Sequence, residues 1–134
     1  MKNKLGTGLV FLLGMMLMAC MSAADKEAKE AIEKQIKSQV DEVVTALDGG
    51  KKAEDFKRLA TEPKYFVFIM DQSGKFLVHP DLESLSPSDK GYSQIMKATP
   101  EGRWVEYVDH FHKNKRSYVK KTKEGLIVGS GYTD

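Results

Sequence analysis

Arg103 and Tyr107 form the pair with the most binding chemistry in this chain. Side chains alternate between two faces of an extended segment. Arg103, Val105 and Tyr107 therefore share one face of the stretch Arg103 to Val108, and Trp104, Glu106 and Val108 share the other. A guanidinium offers a planar fork and a phenol a further donor, together a grip for a carboxylate. His79 precedes Pro80, which holds the backbone before it extended and aims the imidazole off the strand end, where it can donate to an anion. Each of these residues also has a structural role open to it: His79 bonding a loop carbonyl, Arg103 solvated beside a core Tyr107. Trp104 fits core or sheet cover better than a stacking platform. His110 and His112 have the spacing that sets two imidazoles on one side of a strand, but with no third His or Cys nearby they do not make a metal centre. Ser130 lies in Gly129-Ser130-Gly131 on a terminal strand, without the strand-to-helix elbow of a serine hydrolase, and there is no glycine-rich phosphate loop. These residues predict a binding protein without catalytic machinery, cofactor or metal.

The elements that must position them follow from periodicity. Between Asp25 and Leu47 the apolar residues Ala28, Ala31, Ile32, Ile36, Val40, Val43, Val44 and Leu47 recur at steps of three and four, one face of an amphipathic helix. Asp48-Gly49-Gly50 ends it. Lys51 to Ala60 predicts a shorter helix closed by Pro63. Tyr65 to Met70 is a continuous apolar, β-rich run, as in a strand covered on both faces. Asp71 to Gly74 is a turn, and Lys75 to His79 a second strand. Asp81 to Lys90 reads as a loop and Gly91 to Ala98 as a short helix. Three strands follow: Arg103 to Val108, Arg116 to Thr122 and Leu126 to Tyr132, the last two joined by a tight turn at Lys123-Glu124-Gly125. Gly129 and Gly131 predict close packing or a bulge. The order is that of an α+β domain with a five-stranded antiparallel sheet, a long N-terminal helix and a helical crossover.

Residues 1–24 differ from the rest. Lys2 and Lys4 precede an uncharged run from Leu5 to Met18, shorter than the ~20 apolar residues of a membrane-spanning helix. Small residues follow, the layout of a secretory signal peptide. Leu17-Met18-Ala19-Cys20 resembles a bacterial lipobox, in which Cys20 is acylated; cleavage after Ala24 would instead release a soluble periplasmic form. Both remain open. With one cysteine in the chain, the mature domain forms no internal disulfide. Of 21 basic and 19 acidic residues, Lys2 and Lys4 account for the whole excess. Residues 25–134 are therefore near neutral, which argues against a nucleic-acid partner. The reading divides the chain into a signal at 1–24, N-terminal helices at 25–62 and a sheet at 63–134, the last two forming one domain.

Two blocks of residues carry a family resemblance. Tyr65-Phe66-Val67-Phe68-Ile69-Met70-Asp71, Gly74 and Leu77-Val78-His79-Pro80 resemble the opening hairpin of the single-Cache family, extracytoplasmic PAS-like sensory domains of chemoreceptors and sensor kinases. Gly102, Val105-Glu106-Tyr107, Lys115, Ser117-Tyr118-Val119-Lys120 and Ile127-Val128-Gly129-Ser130-Gly131-Tyr132 are similar to its closing meander. Leu126 departs from the tryptophan of many relatives, and Asp81 to Gly91 from their more regular loop. The resemblance implies a pocket for a short carboxylate or similar small ligand between the sheet and the crossover segment, and adds Tyr118 and Lys120 to His79, Arg103 and Tyr107 as ligand-binding residues. Relatives are usually joined to a transmembrane helix and a signalling output. The expected departure from that architecture here calls for a separate signalling partner, such as a membrane receptor or sensor kinase. The resemblance also implies a homodimer through the N-terminal helix. A degenerate fold of the same kind, serving only as a protein-interaction or scaffolding module, is the alternative.

Export is checked by mass spectrometry of the mature chain from a bacterial host. The expected N-terminus is an acylated Cys20 or Asp25, and a chain that still begins at Met1 would defeat the secretion reading.

Overall fold

Strands form where β-branched and aromatic residues concentrate: β1 (Val67–Met70), β2 (Phe76–Val78), β3 (Arg103–Val108), β4 (Asn114–Lys121) and β5 (Ile127–Thr133). They make one sheet in the order β2-β1-β5-β4-β3, with every neighbouring pair antiparallel. The structure, a computed structural model, describes residues 2–81, 91–109 and 111–133, with residues 2–22, 91 and 92 described by their backbone only. The predicted α+β architecture with a five-stranded antiparallel sheet is the one observed.

The chain divides into two compact units, Met1–Lys34 and Gln35–Asp134. The first is helical along its described length and belongs to α1 (Lys2–Asp48). The predicted amphipathic helix from Asp25 to Leu47 lies within α1. It ends where expected: Gly50 takes a φ of 107°, and the Lys51 N–H donates back to the Ala46 carbonyl at 3.1 Å. These bonds satisfy carbonyls that the helix end would leave open. A 3₁₀ helix (Ala53–Ala60) follows, opened by the Asp55 carboxylate, which accepts from the Lys52 N–H at 2.9 Å. α2 (Gly91–Ile95) is shorter than the predicted Gly91–Ala98. Its continuation tightens, with the N–H groups of Lys97 and Ala98 donating three residues back. Of the predicted loop from Asp81 to Lys90, residues 82–90 lie outside the described residues.

All three hairpins are closed by one five-residue turn. In Asp71 to Lys75 the first N–H donates to the fifth carbonyl, and the fourth N–H returns to the first carbonyl. The side chain of the first residue accepts from the fifth N–H. Asp109 to Lys113 repeats each bond, and Thr122 to Leu126 does so with a threonine hydroxyl as the acceptor. The geometry requires a left-handed fourth residue, supplied by Gly74 (φ 90°), Gly125 (φ 89°) and, unusually, His112 (φ 60°).

The sheet has two working faces within the second unit. On one, α1 covers Val67, Ile69 and Val128 with Ile36, Val40, Val43, Val44 and Leu47, all buried. Gln39 Nε2 donates to the Tyr65 carbonyl at 2.8 Å and to Ser130 Oγ at 3.3 Å. The other, inner face carries a second cluster of Phe68, Met70, Ile95, Ala98, Val105, Val119 and Ile127. Gly129 sits flat beneath Phe68, whose ring would meet any added Cβ at 2.1 Å, so the close packing expected of this glycine is present.

The turn geometry makes a paired prediction. Gly125→Ala is expected to cost about 1–2 kcal/mol, the penalty of a left-handed residue with a Cβ, and to displace Gln72, whose Nε2 donates to the Glu124 carbonyl. His112→Gly is expected to gain up to about 1 kcal/mol. Urea unfolding midpoints of both variants against wild type read the two signs.

Candidate ligand-binding site

The register of the β3–β4 hairpin decides which side chains meet. Tyr107 pairs with Lys115, Val105 with Ser117 and Arg103 with Val119. Lys115, Ser117 and Val119 therefore share the inner face with Tyr107, whereas Arg116, Tyr118 and Lys120 point to the face that α1 covers. The structure thus separates residues that the sequence reading grouped. Tyr118 is buried against Trp104, with ring centroids 5.4 Å apart, and its hydroxyl donates to the Glu101 carbonyl at 3.2 Å. Lys120 pairs with Asp41 of α1 at 3.1 Å. Both hold the helix side of the sheet, and neither reaches the inner face: a strand's odd and even positions cannot look the same way.

Arg103 shares the parity of Tyr107 but lies four residues away, about 13 Å along the strand. It is exposed, with the buried Val105 between the two, so the expected Arg–Tyr grip is not formed. Tyr107 is on the inner face, its hydroxyl 2.9 Å from that of the fully buried Ser117. Burial pushes its phenol up to about 12, against the Ser117 hydrogen bond and with help from the Asp109 charge. It stays a neutral donor over the whole physiological range.

His79 is also on this side. Its ring packs edge-on to Phe76 (4.9 Å between centroids) and Phe66 (5.3 Å). Its Nδ1 accepts from the Asp81 N–H at 3.0 Å, so the strand-end imidazole is oriented by a loop backbone group, and this nitrogen faces a donor rather than an incoming anion.

Lys115 belongs to the closing-meander block of the family resemblance but was not among the ligand-binding residues that the sequence reading named. It is 9% exposed, and its Nζ lies 3.8 Å above the centroid of the Phe66 ring. No hydrogen-bond or ion-pair partner meets its ammonium among the described residues. Burial pushes its amine down to about 8, against the opposing pull of Asp109 and Asp81. A cation held over an aromatic face recovers only part of its lost hydration. A cleft of about 400 Å³ lies at the end of the β3–β4 hairpin, lined by Glu106, Tyr107, Val108, Asn114 and Lys115, positions of both strand faces. On the inner face the Tyr107 and Ser117 hydroxyls meet next to Lys115 along the hairpin, and the His79 ring packs against Phe66. The signal that could have found Lys115 was hairpin parity: a turn centred on Phe111 pairs 107 with 115.

The side chain of Cys20, the lipid-anchor candidate, and the whole of His110 lie outside the described residues. Among the described residues no helix is long and apolar enough to cross a membrane, and no group of three His, Cys, Asp or Glu could hold a metal ion.

A buried ammonium with no ion-pair partner among the described residues carries a stability cost with a defined pH window. The folded pKa lies below the unfolded one, so the cost is complete below pH 8 and relieved as pH rises towards 10.5. Unfolding free energy is expected to rise across that window by about 3 kcal/mol. Lys115→Met is expected to stabilise the unliganded protein at pH 7 by about 2 kcal/mol and to flatten the rise; denaturant melts at stepped pH measure both.

The chain matches no family model and no curated protein. Its fold resembles that of a solved methyl-accepting chemotaxis protein from Vibrio parahaemolyticus RIMD 2210633. The two superpose with a TM-score of 0.57 at 17% sequence identity, over 81% of this chain and 92% of that one. The likeness is one of architecture: a helix followed by a five-stranded antiparallel sheet.

Proposed function

We propose that this chain is an exported sensory domain of the single-Cache kind that binds a small organic anion, a short carboxylate in the simplest case, on the inner face of its sheet. The observation that carries the reading is the ammonium of Lys115, nine-tenths buried and without a hydrogen bond or ion pair among the described residues, where the Asp109 and Asp81 charges do not offset its burial. A buried cation without a partner is costly unless something negative arrives. A cleft of about 400 Å³ at the same hairpin end, which Lys115 helps to line, is where a small acid would enter in this reading.

In this reading the carboxylate sits against Lys115 Nζ, the Tyr107 and Ser117 hydroxyls supply further donors, and the ligand's apolar part lies on Phe66 and the His79 ring. The likeness to a chemotaxis protein's fold supports a sensory role over a catalytic one. Strand β4 gives binding a way out of the pocket. Lys115 and Ser117 are on one side of its backbone, while Tyr118 and Lys120 hold α1 from the other. A ligand that draws the inner face together biases the same strand on which the helix rests, a population shift between two packings. The receiver would be a separate membrane receptor or kinase. The scaffolding alternative, with α1 pairing to a second copy, calls for a fully apolar interior, and the buried Lys115 beside the inner-face cluster favours the ligand reading.

Thermal shift and calorimetry against acetate, propionate, lactate and matched neutral amides test the proposal. At least one acid is expected to raise the melting temperature where its amide does not. Its affinity should be flat below pH 8 and fall about tenfold per unit above it, as Lys115 loses its charge. Stabilisation by none of the acids, or binding that survives Lys115→Met unchanged, would refute the anion site.

A further inference from the structure

The three hairpin turns of this sheet are built alike, yet one carries a side chain that the geometry does not require. Their middle positions are Ser73, Glu124 and Phe111. The first two are exposed and polar, as the tip of a solvated turn ordinarily is. Phe111 is 61% exposed, and Val108, three residues before it at the end of β3, is 45% exposed. Among the described residues three large apolar side chains are exposed, and all but Met96 stand on this one turn. The Asp109 carboxylate is committed to the main chain of the turn, accepting from the N–H groups of Phe111 and Lys113 at 2.9 and 3.0 Å. His112 and Lys113, both exposed, follow the ring in sequence. His112 holds the left-handed position where the sibling turns have glycine, a place that a residue with a Cβ fills only with strain.

Helix and strand contacts fix which end of the sheet this is. In the unit that begins at Gln35, Lys37 lies over the Tyr118 ring and Asp41 pairs with Lys120. The Asp48 carboxylate accepts from the Lys123 N–H. Within this unit α1 therefore runs in the direction of β4, and its Gln35 end points the way β4 begins, towards the Asp109–Lys113 turn. The other two turns close the far end, tied together by Gln72 Nε2 donating to the Glu124 carbonyl. The chain before Gln35 thus leaves the unit at the end that bears Phe111. Cys20, the candidate for acylation, stands fifteen residues before Gln35 on that segment.

We propose that the Phe111 tip is a membrane contact: Phe111 and Val108 rest at the headgroup level of a phospholipid bilayer, with the Lys113 ammonium at the phosphates. The proposal rests on the export half of the function argued above and is independent of the anion site. One ring and one branched side chain are far too little for a stable protein partner, which buries ~800 Å² on each side. They suit a bilayer, where aromatic rings settle at the headgroup level and a lysine stem lies along apolar surface with its charge in water. Such a contact is weak by itself. It counts when a tether already confines the domain to the surface, since membrane association builds on two signals together. Its effect is orientation: tether and tip at one end stand the sheet with the Gln72 and Glu124 turns facing away from the lipid.

The test places a tryptophan at each end of the sheet in the intact chain, Phe111→Trp at the tip and Glu124→Trp at the far end, both exposed positions. Trp104 is the one native tryptophan, and wild type supplies its background. Each protein is reconstituted with vesicles of phosphatidylethanolamine and phosphatidylglycerol, with or without brominated acyl chains that quench tryptophan at short range. After background subtraction, bromolipid is expected to quench Phe111→Trp about twofold more than Glu124→Trp, or better. Equal quenching of the two overturns the proposal. So does a blue shift of Phe111→Trp that grows with protein concentration in the absence of lipid, the mark of a second copy covering the tip. Mass spectrometry of the same samples separates the two readings. Equal quenching with an acylated Cys20 leaves export standing and removes the membrane contact, whereas a chain that still begins at Met1 removes both.

Discussion

The backbone parity of one hairpin governs what this domain can bind. The Asp109–Lys113 turn closes with its first carboxylate accepting two main-chain N–H groups and its fourth residue, His112, in the left-handed region. That geometry pairs Tyr107 with Lys115. A turn one residue longer or shorter would send Arg116 and Lys120 to the inner face and Lys115 outwards, since side chains alternate strictly along a strand. The two sibling turns at Asp71 and Thr122 lock β1 to β2 and β4 to β5 in the same manner. The sheet therefore has little freedom to slip, although its inner face carries a charge that it would be more stable without.

Strand β4 divides the labour between the faces. Its outward residues are occupied with α1: Tyr118 beneath Lys37 and against Trp104, and Lys120 on Asp41. Its inward residues are small, apolar or unsatisfied: Ser117, Val119 and Lys115. Small floor residues, Ser117 with Gly129 and Gly131 on β5, let Phe68 and Tyr107 lie close over the sheet. Further along, that compactness gives way to a cleft where the strands end near Lys115. Well-packed core and cleft thus lie at different ends of the same strands.

Keeping a lysine in such a place runs against ordinary core composition, where buried ammonium groups are paired. Local rules tend to be broken at functional sites, and this one is broken in a chosen way. The cation rests on Phe66 and makes no ion pair with a carboxylate among the described residues, and the Asp109 and Asp81 charges offset only part of its burial. An internal partner would have made the same lysine a structural strut, as Asp41 makes Lys120.

Much of the architecture was legible from residue order alone. Periodicities of 3.6 and 2, with glycine and proline as punctuation, located α1, the strands and the Gly49–Gly50 stop, because these patterns are local and survive without knowledge of neighbours. Arg103 and Tyr107 were read correctly as sharing a face. Which face of the next strand they meet was not legible, since it depends on a turn whose left-handed position is a histidine rather than the glycine that usually marks one. Tyr118 and Lys120 were assigned to the pocket by the family resemblance, while Lys115, part of the same motif block, was not named as a binding residue. Sequence by itself determined the elements and their order. Only the folded sheet decided which charges lie against the helix and which is left alone inside, because desolvation and cross-strand pairing belong to residues brought together by register and not by proximity in the chain.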